Sequence, residues 1–215
     1  MPPPQHLTHA ALTDLRPTQM TVGLAEVAAK RAQWAQLKRK ERERLLATHC
    51  FPAVLGPQKR PYIVDHHHLC VALLQEKTTD VWIMQLADYS DVPMPMFWRL
   101  LEFHQWAHPY DAKGRRQPFS AMPQKLEQLS DDPYRSLAGE VRKAGGYAKD
   151  ATPFAEFIWA DFFRPLLLRK TLRTTPEGAL NPMVVTEAVA LAHSQAARCL
   201  PGWSGTFRPA AAPAL

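Results

Sequence analysis

The 215-residue chain is 46% hydrophobic with a formal charge of +6, which supplies one sizeable core, or one core plus a smaller helical annex. No run approaches the roughly 18 apolar residues that cross a bilayer, and the proline-rich start lacks the apolar segment of a signal peptide. A soluble, cytoplasmic protein without membrane partners is expected. Cys50, Cys70 and Cys199 are odd in number and form no Cys-x-x-Cys pair, which argues against a disulfide framework and for reduced thiols.

In chain order, residues 1–11 carry Pro2, Pro3 and Pro4 and are expected to be disordered. Leu12 to Leu15 reads as a short extended piece broken by Pro17. The spacing Val22, Ala25, Ala29, Trp34 and Leu37 predicts a helix with Thr21 as its N-cap, running into a stretch that holds Lys38, Arg39, Lys40, Arg42 and Arg44 interleaved with Glu41 and Glu43. That stretch reads first as a solvated face and second as a contact for nucleic acid. Ala53-Val54-Leu55 and Tyr62-Ile63-Val64 are β-prone runs, and the glycine and prolines between them predict a hairpin-like reversal. A buried helix from His67 and a strand over Val81 to Met84 complete an α/β unit that ends near residue 90.

Beyond it the texture is helical. Met96 to Trp106 is aromatic and helix-compatible, and His108 to Pro118 is a polar loop. Asp132 and Pro133 suit an N-cap and a first helical position, with Gly145-Gly146 closing that helix. Phe154 to Arg164 and Val184 to Ala197 are further helices, and residues 201–215 are expected to be a disordered tail. The fold class is therefore α+β, an α/β domain over 12–90 followed by a helical region over 91–200.

The most informative motif is Asp65-His66-His67-His68, where a strand turns into a helix. The first N–H groups of a helix carry partial positive charge and receive anions, phosphate among them. The same field disfavours imidazolium and keeps such histidines neutral, suited to proton transfer or metal ligation. Successive residues fan out by about 100°, so at most two of the three rings converge on one point. Three readings stay open: capping and packing, a metal site using His66 and His68, and phosphate handling or acid–base work.

Leu15-Arg16-Pro17-Thr18-Gln19, then Phe51-Pro52-Ala53-Val54-Leu55, then Tyr62-Ile63-Val64-Asp65-His66-His67-His68 together resemble the N-terminal domain of the ParB and sulfiredoxin superfamily, most closely the bacterial branch of ParB-like nucleases. The resemblance implies that Arg16 and Gln19 line one wall of a nucleotide site, with Asp65, His67 and His68 on the facing loop. His66 stands where that loop usually has glycine and Leu69 where arginine is common, which removes backbone freedom and a cation for phosphate. Cys70 does not match the sulfiredoxin cysteine.

The related free-serine kinases use a glutamate from the first helix, which points to Glu26 as general base, with Lys30 one turn further on the same face. Arg135 or Arg142 would supply the missing cation. The leading expectation is an enzyme acting on a phosphate-containing substrate, a nuclease or a nucleotide-dependent phosphotransferase, with nucleotide and a divalent Mg or Mn ion as candidate cofactors. The alternatives are a non-catalytic nucleotide- or DNA-binding protein and a histidine-ligated metalloprotein. The sequence sets no oligomeric state.

Overall fold

The computed structural model describes residues 6–172, 174 and 179–205, in two compact units that meet in the chain at Asp132 and Pro133. In the first, β1 (His6–Ala11), β2 (Arg16–Pro17), β4 (Cys50–Gly56), β5 (Arg60–Ile63) and β6 (Asp80–Asp88) form one mixed sheet in the order β1-β6-β4-β5-β2. A two-residue strand β3 (Thr21–Val22) pairs in parallel with β7 (Ser130–Asp131). Residues 6–11, expected to be disordered, are instead an edge strand antiparallel to β6. Residues 1–5 and 206–215 lie outside the described residues. Leu12–Asp14 is a 3-10 turn rather than an extended piece.

The hairpin expected between the two β-prone runs is present. β4 and β5 are antiparallel, Ala53 opposite Ile63 and Gly56 opposite Arg60, and the reversal places Gln58 and Lys59 at positive φ, the twist that matches flanking strands. β4 also runs parallel to β6, with a register shift between Ala53 and Val54 just after Pro52. A proline inside a central strand needs such an irregularity, because it has no N–H for the ladder.

The helices of this unit are α1 (Leu24–Gln36), α2 (Arg39–Thr48), α3 (His67–Gln75) and α4 (Met94–Phe103). The single long helix read from the sequence breaks at Leu37 and Lys38, both extended in backbone. Thr21 belongs to β3, and the N-cap of α1 is Gly23. Helices α1 and α3 pack together, and Val27, Phe51, Ile63, Cys70, Leu73 and Ile83 belong to the core cluster of this region. A second cluster joins Val54, Tyr62, Phe97, Trp98 and Leu101.

The second unit is built from α5 (Pro133–Lys143), α6 (Ala155–Phe163) and α7 (Pro182–Ala192), with α5 packed on both others. Gly145, at φ +84, ends α5 by taking a conformation costly for other residues, while its N–H donates to Arg142 and that of Gly146 to Val141. Trp159 is fully buried and stacks on Tyr147 at 4.1 Å between centroids. The α+β class read from the sequence describes the whole.

Candidate active site

The strand β5 stays tied to its neighbour through Val64 N–H to Pro52 O at 2.9 Å, and the chain then turns sharply. His66 takes the left-handed conformation, φ 63 and ψ 22. This is the position where the related loops carry glycine. A Cβ there costs about 1 kcal/mol or more, and the exposed Asp65 offsets it by accepting the His66 N–H at Oδ1, 2.6 Å. Helical bonding in α3 starts with Cys70 N–H to His66 O. The N–H groups ahead of it have no carbonyl within the helix, so the positive end of α3 faces the turn.

His67 and His68 point inward, 2% and 7% exposed. Each ring nitrogen Nε2 accepts a backbone N–H from the segment between β2 and α1: Thr18 donates to His67 at 3.1 Å and Gly23 to His68 at 2.9 Å. The two imidazoles thus pin both ends of residues 18–23 against the start of α3. An accepting nitrogen carries no proton, so the His67 hydrogen sits on Nδ1 when the ring is neutral. Burial, and then the neighbouring His68, push the His67 pKa down to about 3. The nitrogens expected to meet phosphate are engaged with backbone.

Beside His68 lies Glu26, from the first turn of α1. Its Oε2 is 3.6 Å from His68 Nε2 and its Oε1 is 3.7 Å from Lys30 Nζ. With Nε2 accepting from Gly23, the first contact is not an ion pair. The carboxylate is part-buried, its side chain 18% exposed.

One further histidine belongs here and was not singled out in the sequence. His49 ends α2, and its ring lies 4.6 Å from that of His66 and 4.9 Å from that of Phe51, both edge-on. Its Nε2 is buried without a hydrogen-bond partner. Burial, then His66 and Lys30, lower its pKa, while Asp65 opposes them. Its 17-residue separation from His66 hid it, since only the β4–β5 hairpin brings the two rings together.

The structure therefore gathers Glu26, Lys30, Asp65, His66 and His68 and adds His49. Arg16 and Gln19 are placed differently. Arg16 Nη1 donates to Gln124 O, and Gln19 is buried with its Nε2 donating to Thr21 O at 2.6 Å. A cavity of about 420 Å³ lies along that side, lined by Thr21, Asp111, Met122, Gln124 and Gln128 among others. Arg135 and Arg142 belong to the second unit, where both approach Glu156, at 3.9 and 3.3 Å, and Arg135 lies over the Phe157 ring.

The donor set does not fit a divalent ion held by protein ligands. Among the described residues no three His, Cys, Asp or Glu side chains come together to hold one, and His68 Nε2, one of the two expected ligands, already accepts a backbone N–H.

A model of the family described as putative ParB-like nuclease matches residues 8–165. The chain belongs to this family. The match runs from β1 to the end of α6, through every residue of the cluster around α3. A crystal structure of protein Atu1540 from Agrobacterium tumefaciens is similar as well: 40% identity over 94% of this chain and 100% of that one, with a TM-score of 0.85. No curated protein matches. Among the described residues no helix of this ParB-like chain is long and apolar enough to cross a membrane.

Proposed function

We propose that this ParB-like chain is an enzyme that cleaves or transfers a phosphodiester, with the phosphate received at the positive end of α3. The observation that carries the reading is the placement of Glu26 between Lys30 and His68 next to that helix end. Glu26 takes the proton of the attacking hydroxyl or water as its oxygen bonds to phosphorus, the P–O bond to the leaving alcohol breaks and that oxygen takes a proton from solvent, while Lys30 offsets negative charge on the phosphate and His66 contacts it from the turn that Asp65 shapes. His67 and His68 act as positioning residues: they hold residues 18–23 so that Gly23, and with it the start of α1, stays in register with α3.

The test is turnover of bis(p-nitrophenyl) phosphate, assayed with and without Mg²⁺ or Mn²⁺. Glu26→Gln is expected to lower kcat by about 100-fold or more, with unfolding temperature unchanged. A wild-type protein that is folded and inert toward diesters in both conditions overturns the reading, as does full activity in Glu26→Gln.

A further inference from the structure

β1 is the outer strand of the five-stranded sheet, and its pairing settles which of its backbone groups point outward. The ladder to β6 keeps one register from His6 opposite Gln85 to Ala11 opposite Asp80, and it continues through Leu12 N–H to Thr79 O at 2.8 Å. In an antiparallel ladder alternate residues direct both N–H and C=O at the partner strand. Leu12 fixes the phase. His6, Thr8 and Ala10 turn theirs toward β6, so those of Leu7, His9 and Ala11 face away from the sheet. Among the described residues no strand lies beyond them.

An open edge is ordinarily blunted by lysine, proline, a bulge or a very short strand. β1 has none of these: its six residues, His-Leu-Thr-His-Ala-Ala, include no Lys, Arg, Asp, Glu or Pro, and its register to β6 does not shift. The opposite edge of the sheet is β2, only two residues long, where Pro17 lacks an N–H. The sheet can therefore be extended on one side only, and a pairing there closes rather than propagates. Thr8 and Ala10 lie on the face of the buried Ile83 and Val81. Leu7, 53% exposed, and His9 lie on the face of the half-buried Met84 and Trp82, with the His9 ring edge-on to Trp82 at 3.8 Å.

We propose that β1 pairs antiparallel with β1 of a second copy of this chain, about a two-fold axis at His9, so that two five-stranded sheets become one. In this register His9 stands opposite His9 of the second copy, Leu7 opposite its Ala11 and Thr8 opposite its Ala10. Every outward N–H and C=O from Leu7 to Ala11 then finds a partner, with two bonds at each of three residue pairs. Each off-axis pair sets a larger side chain against an alanine, and the apolar strip of Leu7 and Met84 continues across the junction. A foreign extended peptide takes backbone bonds of the same kind. What selects a second copy is the self-match: the outward residues are symmetric about His9, and β1 carries no Lys, Arg, Asp or Glu to be brought against its own duplicate.

The experiment is sedimentation equilibrium of wild type, His9→Ala and His9→Pro from dilute to concentrated solution. Wild type is expected to show a reversible monomer–dimer equilibrium, and His9→Ala, which keeps the N–H, to show it too. His9→Pro removes the donor from both copies and abolishes the bonds of the central pair, raising the dissociation constant about tenfold or more. Because that N–H points away from β6, the fold tolerates proline there, and the unfolding temperature in dilute solution should stay near that of wild type. Amide hydrogen exchange reads the same register without substitution: the Leu7, His9 and Ala11 N–H groups gain protection as concentration rises, whereas those of Thr8 and Ala10 are protected throughout. A wild type that stays monomeric, a His9→Pro dimer as tight as wild type, or exchange at Leu7, His9 and Ala11 that ignores concentration overturns the proposal.

Discussion

His66 and the two histidines after it are adjacent in sequence and identical in chemistry, yet they do opposite things. His67 and His68 lie inside, each spending its acceptor nitrogen on a backbone N–H. His66 lies at the rim against His49, whose Nε2 is buried without a hydrogen-bond partner. Backbone geometry makes the difference: His66 is left-handed and outside the helix, while the next two residues are helical and rotate toward the core. A run of one residue type thus divides into a buried structural pair and a part-exposed rim.

Breaking the inner pair should have the largest effect. His67→Ala leaves the Thr18 N–H buried without an acceptor and opens a void, costing about 3 to 4 kcal/mol. In a chain of this size that is a fall of about 10 °C in unfolding temperature. A calorimetric shift under about 3 °C, or about as small as that of His66→Ala, would erase the proposed division of labour.

The next effect is on pH. Because the His67 pKa is lowered on folding from 6.5 to about 3, the unfolded chain binds that proton first. The stabilisation is complete above about pH 6.5 and is lost as pH falls toward about 3, about 2 kcal/mol of it by about pH 5. Urea titrations near pH 7 and pH 5 measure the loss. In His67→Gln, which keeps an acceptor and does not titrate, the difference between the two pH values should shrink by that amount.

The smallest effect concerns the rim. His66→Gly relieves the left-handed strain and should raise stability by about 1 kcal/mol or less, while lowering diester turnover because the ring is gone. Thermal melts and the bis(p-nitrophenyl) phosphate assay separate the two. A stability loss would mean that packing of the ring on His49 and Phe51 outweighs the strain.

Features with local causes were legible in the sequence. The β4–β5 reversal follows from its glycine and prolines, the start of α3 from the strand-to-helix change at Asp65, and α5 from Pro133 and the Gly145-Gly146 stop. The Glu26 and Lys30 approach follows from helical spacing. What stayed hidden depends on distant pairing. The pattern of β1 is too polar to announce a strand, and it exists because β6 offers an open edge. Strands β3 and β7 are two residues each and meet across more than a hundred positions. The inward turn of His67 and His68 required knowing that residue 66 takes positive φ, an unusual choice for a side chain other than glycine.

Gly56 has a similarly concrete role at the other end of β4. A methyl group at this position would sit 2.7 Å from the tip of the Phe97 ring and 2.7 Å from the edge of the Tyr62 ring. The aromatic cluster therefore rests directly on bare main chain, a peg and socket that indexes α4 to the sheet. Sliding that helix by one turn would lift Phe97 out of its notch, so the sheet and the helix keep a single alignment that needs no polar contact to enforce it.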